Sequence, residues 1–543
     1  YGDRSGNASW TDMSLASEAL RQEALSVFSQ QLGAIEPASL SSEVRLNRSM
    51  LLREIKDERA AYEQGLHLMP INMRSGPQHA HGMAERLPFS SEQDYRDWLI
   101  RLRALPDRLK QYQELLTEGM AKNRVQAAII IQRVPEQIER VVTTTPEASP
   151  FYKAFAEISG NIDPAVAKAF QAEAKTVITD QLNPAYRDFG AFIKDRYLPA
   201  SRPEPGIGSL EGGKAAYRFL VQHFTTTDLS PEAIHQIGLD EVARLKTEMD
   251  VIKNSVGFEG DLKAFFAMLR DSKDDQRHYY PDTDEGRQAY IDDATSAIEN
   301  IKAKLATYFG ILPKADLEVR RVEPFREQPG AAQHYFPGTP DGSRPGIYYA
   351  HLSDMTAMPK GELEVIAYHE GLPGHHMQIA IQQELESVPT FRTQVGFTAY
   401  SEGWGLYSEL LAKEMEGTYA DPYSDFGRLG SEIWRAIRLV LDTGLHAKGW
   451  TEEQAVQYFL DNSAITEAQA RSEVQRYMVL PGQATSYKIG MLKILELREK
   501  AEQALGDKFD IRGFHDAVLG GGAVPLSVLE TMVDQWIARV QIG

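Results

Sequence analysis

A chain of 543 residues is longer than one compact core accommodates, so two lobes are expected. With 42% hydrophobic and 25% charged residues it reads as an ordinary globular protein, and a formal charge of −19 argues against nucleic acid or an anionic membrane as the main partner. The absence of cysteine removes disulfides, thiolate ligands and a cysteine nucleophile; with an opening Tyr1-Gly2-Asp3 in place of Met, it points toward export to an oxidising compartment.

Apolar residues recur at helical spacings over residues 14–32, 44–62, 95–116 and 164–193. A Pro-, Gly- and Ser-rich stretch at 199–213 is the expected junction between an N-terminal helical lobe (1–205) and a second lobe (206–543) carrying the metal-site candidates. Gly206-Ile207-Gly208, inside that stretch, lacks a third glycine and a preceding strand, so it is not a dinucleotide loop. Ser230-Pro231-Glu232 combines the N-cap serine, first-position proline and first-turn acid that start a helix. Strand signals are confined to 317–322, which alternates, and 346–352, which is short and aromatic. The second strand is expected to offer an edge to an extended peptide; Arg344 in the preceding turn reads first as a water-exposed turn residue and second as a partner for a substrate carboxylate. Gly520-Gly521-Gly522 reads as a helix-ending turn before a last helix at 526–540. No run approaches the ~20 apolar residues of a membrane span. The expected fold is mainly α, with a small sheet near 315–352 beside the active-site helix.

The chemistry concentrates in His369-Glu370-Gly371-Leu372-Pro373-Gly374-His375-His376, which holds three of the 13 histidines. A histidine followed by glutamate suits a metal ligand beside a general base. The usual second ligand, one turn on, is replaced by Pro373. On a regular helix His375 would be rotated by about 240° from His369, and His376 displaced by about 10.5 Å. Pro373-Gly374 lets the chain bulge and return, bringing His375 or His376 to the second ligand position, with His375 preferred. The third donor is expected from the following helix. Glu402 lies in an apolar stretch where an unpaired carboxylate is costly, and Glu409, two turns further on the same face, is the reserve. Tyr487 first and Tyr477 second are candidates to stabilise an oxyanion, while Lys488 reads as a solvated helix residue. Two imidazoles and a carboxylate suit zinc, one ion per chain. The expected reaction is hydrolysis of short peptides with Glu370 as base and with His376, Tyr477 and Arg344 as substrate contacts. A non-catalytic peptide-binding protein with a degenerate metal site, or a metal-dependent esterase or amidase, is the alternative.

At these residues a resemblance enters. His-Glu-x-x-Pro-Gly-His-His-x-Gln (369–378), Ser-Glu-Gly-Trp (401–404) and Arg-Tyr (476–477) followed by Pro-Gly-Gln-Ala (481–484) resemble the bacterial proteins grouped as domain of unknown function 885. Residues 341–346 and the region after 225–229 carry the same resemblance, which extends over most of the chain and implies a periplasmic or secreted protein, exported or lipid-anchored as many members look to be. More distantly, the motifs are similar to the mostly helical zinc peptidases with a glutamate ligand, such as thimet oligopeptidase, the thermostable carboxypeptidases and angiotensin-converting enzyme. That similarity implies a two-lobed helical metallopeptidase-like fold. It also implies ligands at His369, His375 and Glu402, a base at Glu370 and an oxyanion tyrosine at Tyr487. The chain departs from that group by two extra residues between Glu370 and His375.

Overall fold

The computed structural model describes residues 4–324, 327, 332–386 and 388–542; Tyr1, Gly2 and Asp3, on which the reading of the chain's start rests, lie outside them. The chain divides into two compact units, Tyr1–Ala216 and Tyr217–Gly543. Both are mainly helical, and no helix among the described residues is long and apolar enough to cross a membrane.

In the first unit the helices expected from periodicity run over Leu15–Ala34, Ser42–Glu63 and Glu92–Ala121. The longest opens on a capping box in which Ser91 accepts from the Asp94 amide and the Asp94 side chain accepts from the Ser91 amide. Its Trp98, Leu102 and Leu105 pack with Phe155, Ile178, Phe189 and Ile193 in a closed core. The helix expected over 164–193 continues to Ala200, interrupted by π turns at Ile178–Leu182 and Ile193–Tyr197. Each π turn ends two residues before a proline, Pro184 or Pro199. The wider turn accommodates a ring that has no N–H to donate and would crowd the carbonyl four residues back.

The second unit holds the candidate chemistry. Its first long helix, Pro231–Ser255, is capped by Ser230, whose hydroxyl accepts from Ala233 N at 3.2 Å. The small sheet has three strands, β1 (Leu317–Arg321), β2 (His334–Phe336) and β3 (Gly346–Ala350), in the order β1-β3-β2. β3 is parallel to β1 and antiparallel to β2, so both its edges are paired. The expectation that β3 offers an edge to a peptide is therefore corrected: the outer strand nearest the site is β2, which the sequence reading did not find.

Six helices frame the site: α1 (Leu363–Glu370), α2 (His375–Gln383), α3 (Thr398–Ala412), α4 (Pro422–Ala447), α5 (Glu467–Val479) and α6 (Ser486–Leu505). α3 and α6 cross at Gly403 and Gly490, where a Cβ on Gly403 would stand 2.5 Å from the Gly490 backbone. Only glycine at both positions allows so close a crossing. The Pro231–Ser255 helix approaches α4 in the same way, at Gly238 against Leu439 and Val440.

Candidate metal centre

The histidine segment is a break between two helices rather than a bulge within one. α1 stops at Glu370, residues 371–374 turn through a cis Leu372–Pro373 peptide, and α2 restarts at His375. A Cβ at Gly374 would lie 2.4 Å from the Tyr368 carbonyl oxygen, so the turn needs glycine there. Two side chains of α3 pin the break: Trp404 Nε1 donates to the Pro373 carbonyl at 2.8 Å, and Ser408 Oγ donates to the same oxygen at 3.3 Å. The two rings then meet edge to face, with the His369 and His375 centroids 4.6 Å apart.

Glu402, from the first turns of α3, stands against both. Its Oε2 lies 3.5 Å from His369 Nε2 and 3.5 Å from His375 Nε2. In a tetrahedral zinc site with ligand distances of about 2.0–2.1 Å, neighbouring donor atoms are separated by about 3.3–3.4 Å. The observed separations match that edge, so the donor set fits zinc. His369, Glu370 and His375 also converge, each offering a ligand atom within 4.8 Å of the others. Glu370 is nonetheless the poorer third donor, because its Oε2 accepts from Tyr335 N of β2 at 2.9 Å. Glu402 is the acid that faces both imidazoles, and Glu370 stands beside it.

The electrostatics follow from this packing. Burial disfavours a charged His369, but hydrogen bonds to Glu402 and Glu409 outweigh it and lift the imidazole pKa to about 10. Burial likewise opposes ionisation of Glu402, and the two histidines override it, holding the carboxyl well below its ordinary value. Glu409 is not a direct donor to the shared point. Its Oε1 accepts from His369 Nδ1 at 2.7 Å, leaving Nε2 to face Glu402. Gly405 backs the same ring; a Cβ there would meet His369 Cε1 at 2.7 Å.

His376 is not brought to the site. It is 1% exposed, Nδ1 pairs with the Tyr335 hydroxyl and Nε2 with the Ala315 carbonyl, both at 3.1 Å, and burial pushes its pKa down to about 4. Its role as a substrate contact is corrected to one of holding α2 under the sheet. Tyr477 is also buried, its hydroxyl donating to Glu473 at 2.9 Å and accepting from Arg438 Nε at 3.2 Å. Arg344 sits exposed in its turn, stacked over the Phe336 ring at 5.2 Å. Lys488 is not solvated: fully buried, it bonds Glu432 at 2.6 Å and Glu241 at 2.8 Å.

This chain matches, over residues 1–533, the family model described as "Bacterial protein of unknown function (DUF885)". The chain belongs to this family. Among solved structures, the DUF885 chain is similar to the "putative lipoprotein" from Colwellia psychrerythraea, with 31% identity and a TM-score of 0.91 over 98% of this chain and 93% of that one. A second, a "putative lipoprotein of unknown function" from Shewanella oneidensis, shares the fold at 18% identity and a TM-score of 0.75, covering 98% and 95%. No curated protein matches it.

Tyr487 lies one turn before the Gly403–Gly490 crossing, and Glu402 immediately precedes Gly403 in that crossing. Two guanidinium groups of α4 lie against the Tyr487 ring, Arg438 at 4.6 Å and Arg435 at 5.9 Å from the centroid. Its hydroxyl has no hydrogen-bond partner among the described residues. The two arginines, the Glu409 orienting contact and the β2 amide on Glu370 were not singled out from the sequence.

Proposed function

We propose that this DUF885 chain is a zinc-dependent peptidase of the helical, metallopeptidase-like kind, acting on short peptides. The observation that carries the reading is the placing of Glu402 Oε2 at 3.5 Å from both His369 Nε2 and His375 Nε2, with the Glu370 carboxylate next to them. Zinc held there supplies Lewis acidity, acidifying water and polarising a carbonyl. Glu370 takes the proton from the attacking water on its free carboxylate oxygen and delivers it to the leaving amine. The Tyr335 amide on its other oxygen keeps that carboxylate oriented. Tyr487 donates its hydroxyl to the oxygen that gains negative charge. The description of the Colwellia psychrerythraea relative as a lipoprotein favours a lipid-anchored place in the cell envelope.

The test is elemental mass spectrometry of the wild type and of His369→Ala, His375→Ala, His376→Ala and Glu402→Ala, with turnover of blocked peptides and simple esters. One zinc per chain, retained only by the wild type and His376→Ala, together with peptide cleavage that Tyr487→Phe slows without loss of metal, is the expected result. A wild type that takes up no zinc, or that cleaves esters alone, removes the peptidase reading.

A further inference from the structure

A guanidinium inside a protein is normally matched by a carboxylate or by acceptors for its five N–H groups. Arg438 follows this rule in part, bonding Glu473 at 3.1 Å and the Tyr477 hydroxyl at 3.2 Å, but its Nη1 is buried without a partner. Arg435 departs from it. Among the described residues it forms no ion pair, its Nη1 bonds only the Ser431 carbonyl and hydroxyl, at 3.2 and 2.7 Å, and its Nε is buried without a partner. Among the described residues the charge therefore meets no carboxylate directly, its one ring contact being Tyr487 at 5.9 Å.

Two neighbours locate that charge. On one side is the ring of Tyr487, whose helix crosses α3 next to Glu402. On the other is Glu362, the residue before α1, whose only charged neighbour of weight is Arg435. Glu362 is exposed and, among the described residues, makes no hydrogen bond or ion pair through its carboxylate; Arg435 is the charged group that favours its ionisation. Seven residues before His369, Glu362 lies on the same helical face at about 10.5 Å along the axis. An extended peptide covers that span in about three residues. Arg435 thus stands beside the Tyr487 ring, with Nε lacking a hydrogen bond and no carboxylate in direct contact among the described residues, on the side of the centre from which a peptide a few residues long would reach it.

We propose that Arg435 is a specificity-determining residue that receives the free α-carboxylate of the peptide, so that cleavage occurs within a few residues of a C-terminus. This rests on the peptidase reading for its consequence, but the binding of the carboxylate is independent of turnover. A planar guanidinium with Nε and Nη donors on one side matches a carboxylate in two parallel hydrogen bonds, which a C-terminal amide cannot reproduce. Arg344, the arginine expected for this task, is stacked in an exposed turn instead.

The experiment uses the full chain carrying Glu370→Gln, which removes the base and stops cleavage, titrated calorimetrically with N-acetyl tripeptides ending in Phe, Lys or Glu, each as free acid and as C-terminal amide. At least one acid is expected to bind about ten- to a hundredfold more tightly than its amide. Adding Arg435→Gln brings each pair to within about twofold, and Arg435→Lys, which keeps the charge but not the fork, gives an intermediate preference. Circular dichroism reports whether the variants fold, and should Arg435→Gln fail to, the lysine variant decides. Equal binding of acid and amide across the panel, or a preference that survives loss of Arg435, overturns the proposal. Wild-type turnover separates the two readings. Cleavage of acids and amides at equal rates removes the carboxylate site and leaves the peptidase, whereas Arg435-dependent acid binding without any cleavage leaves the site and removes the peptidase.

Discussion

His369 Nδ1 donates to Glu409 Oε1 at 2.7 Å while its Nε2 lies 3.5 Å from Glu402 Oε2, so two acids of one helix hold opposite edges of one imidazole. They are seven residues apart on α3, hence on the same face and about 10.5 Å apart along the axis, and the ring spans between their carboxyl groups. Glu409 therefore acts on the centre through His369, fixing the ring's orientation and its tautomer. Glu409→Gln is expected to weaken zinc binding by about 10- to 100-fold, measured by competition with a chromophoric chelator, with the fold intact by circular dichroism. An unchanged affinity would show that packing against Gly405 alone orients the ring.

Lys488 makes a different kind of contribution. It is fully buried among Glu432, Glu241 and Arg244, in a network where Arg244 also bonds Glu432 at 2.6 Å and Glu241 at 2.7 Å. Burial opposes ionisation of Glu432, yet Lys488 and Arg244 hold its carboxyl below the ordinary value. Lys488→Met leaves Glu241 and Glu432 with Arg244 and, 3.7 Å from Glu432, Arg428, and is expected to cost about 3–5 kcal/mol in urea unfolding. Pairing it with Glu432→Gln recovers part of that loss; additive losses would mean the two groups do not couple.

Acid should weaken the protein through His515. This ring is fully buried, with Nδ1 on the Tyr308 carbonyl at 2.7 Å and Nε2 paired with the Tyr407 hydroxyl at 2.8 Å, and burial pushes its pKa down to about 3. The unfolded chain protonates it near 6.5, so between about pH 6.5 and 3 the unfolded state binds the extra proton. The stability from keeping His515 neutral is present above 6.5 and is lost as pH falls, with a limiting slope of about 1.4 kcal/mol per unit from this group. Unfolding free energies measured at pH 7, 6 and 5 should fall less steeply for His515→Gln than for the wild type. Parallel profiles would assign the acid loss to other groups.

What could be read in advance divides along physical lines. His369, Glu370 and His375 are close in sequence, and their residue types alone suggest shared chemistry. Glu402 was legible because a carboxylate in an apolar helix needs a partner. His376 resembled its neighbour in sequence but not in environment, since only the position of the sheet decides that its nitrogens meet Ala315 and Tyr335. β2, three residues long, has too little pattern to register as a strand. Arg435 and Arg438, three apart on α4, look like any solvated pair until α6 is packed against them. Lys488 misled for the same reason: its acids come from the Pro231–Ser255 helix and α4, far along the chain.

The break at residues 371–374 changes what sets the distance between the two histidines. When both stand on one continuous helix, the pitch dictates their separation and no neighbour can alter it. Here they belong to separate helices, and the joint between them is clamped by Trp404 and Ser408 through a single carbonyl oxygen of Pro373. The same helix that carries Glu402 thus also carries the clamp. The bite of the candidate ligand set is adjustable through packing, and residues outside that set hold the gauge.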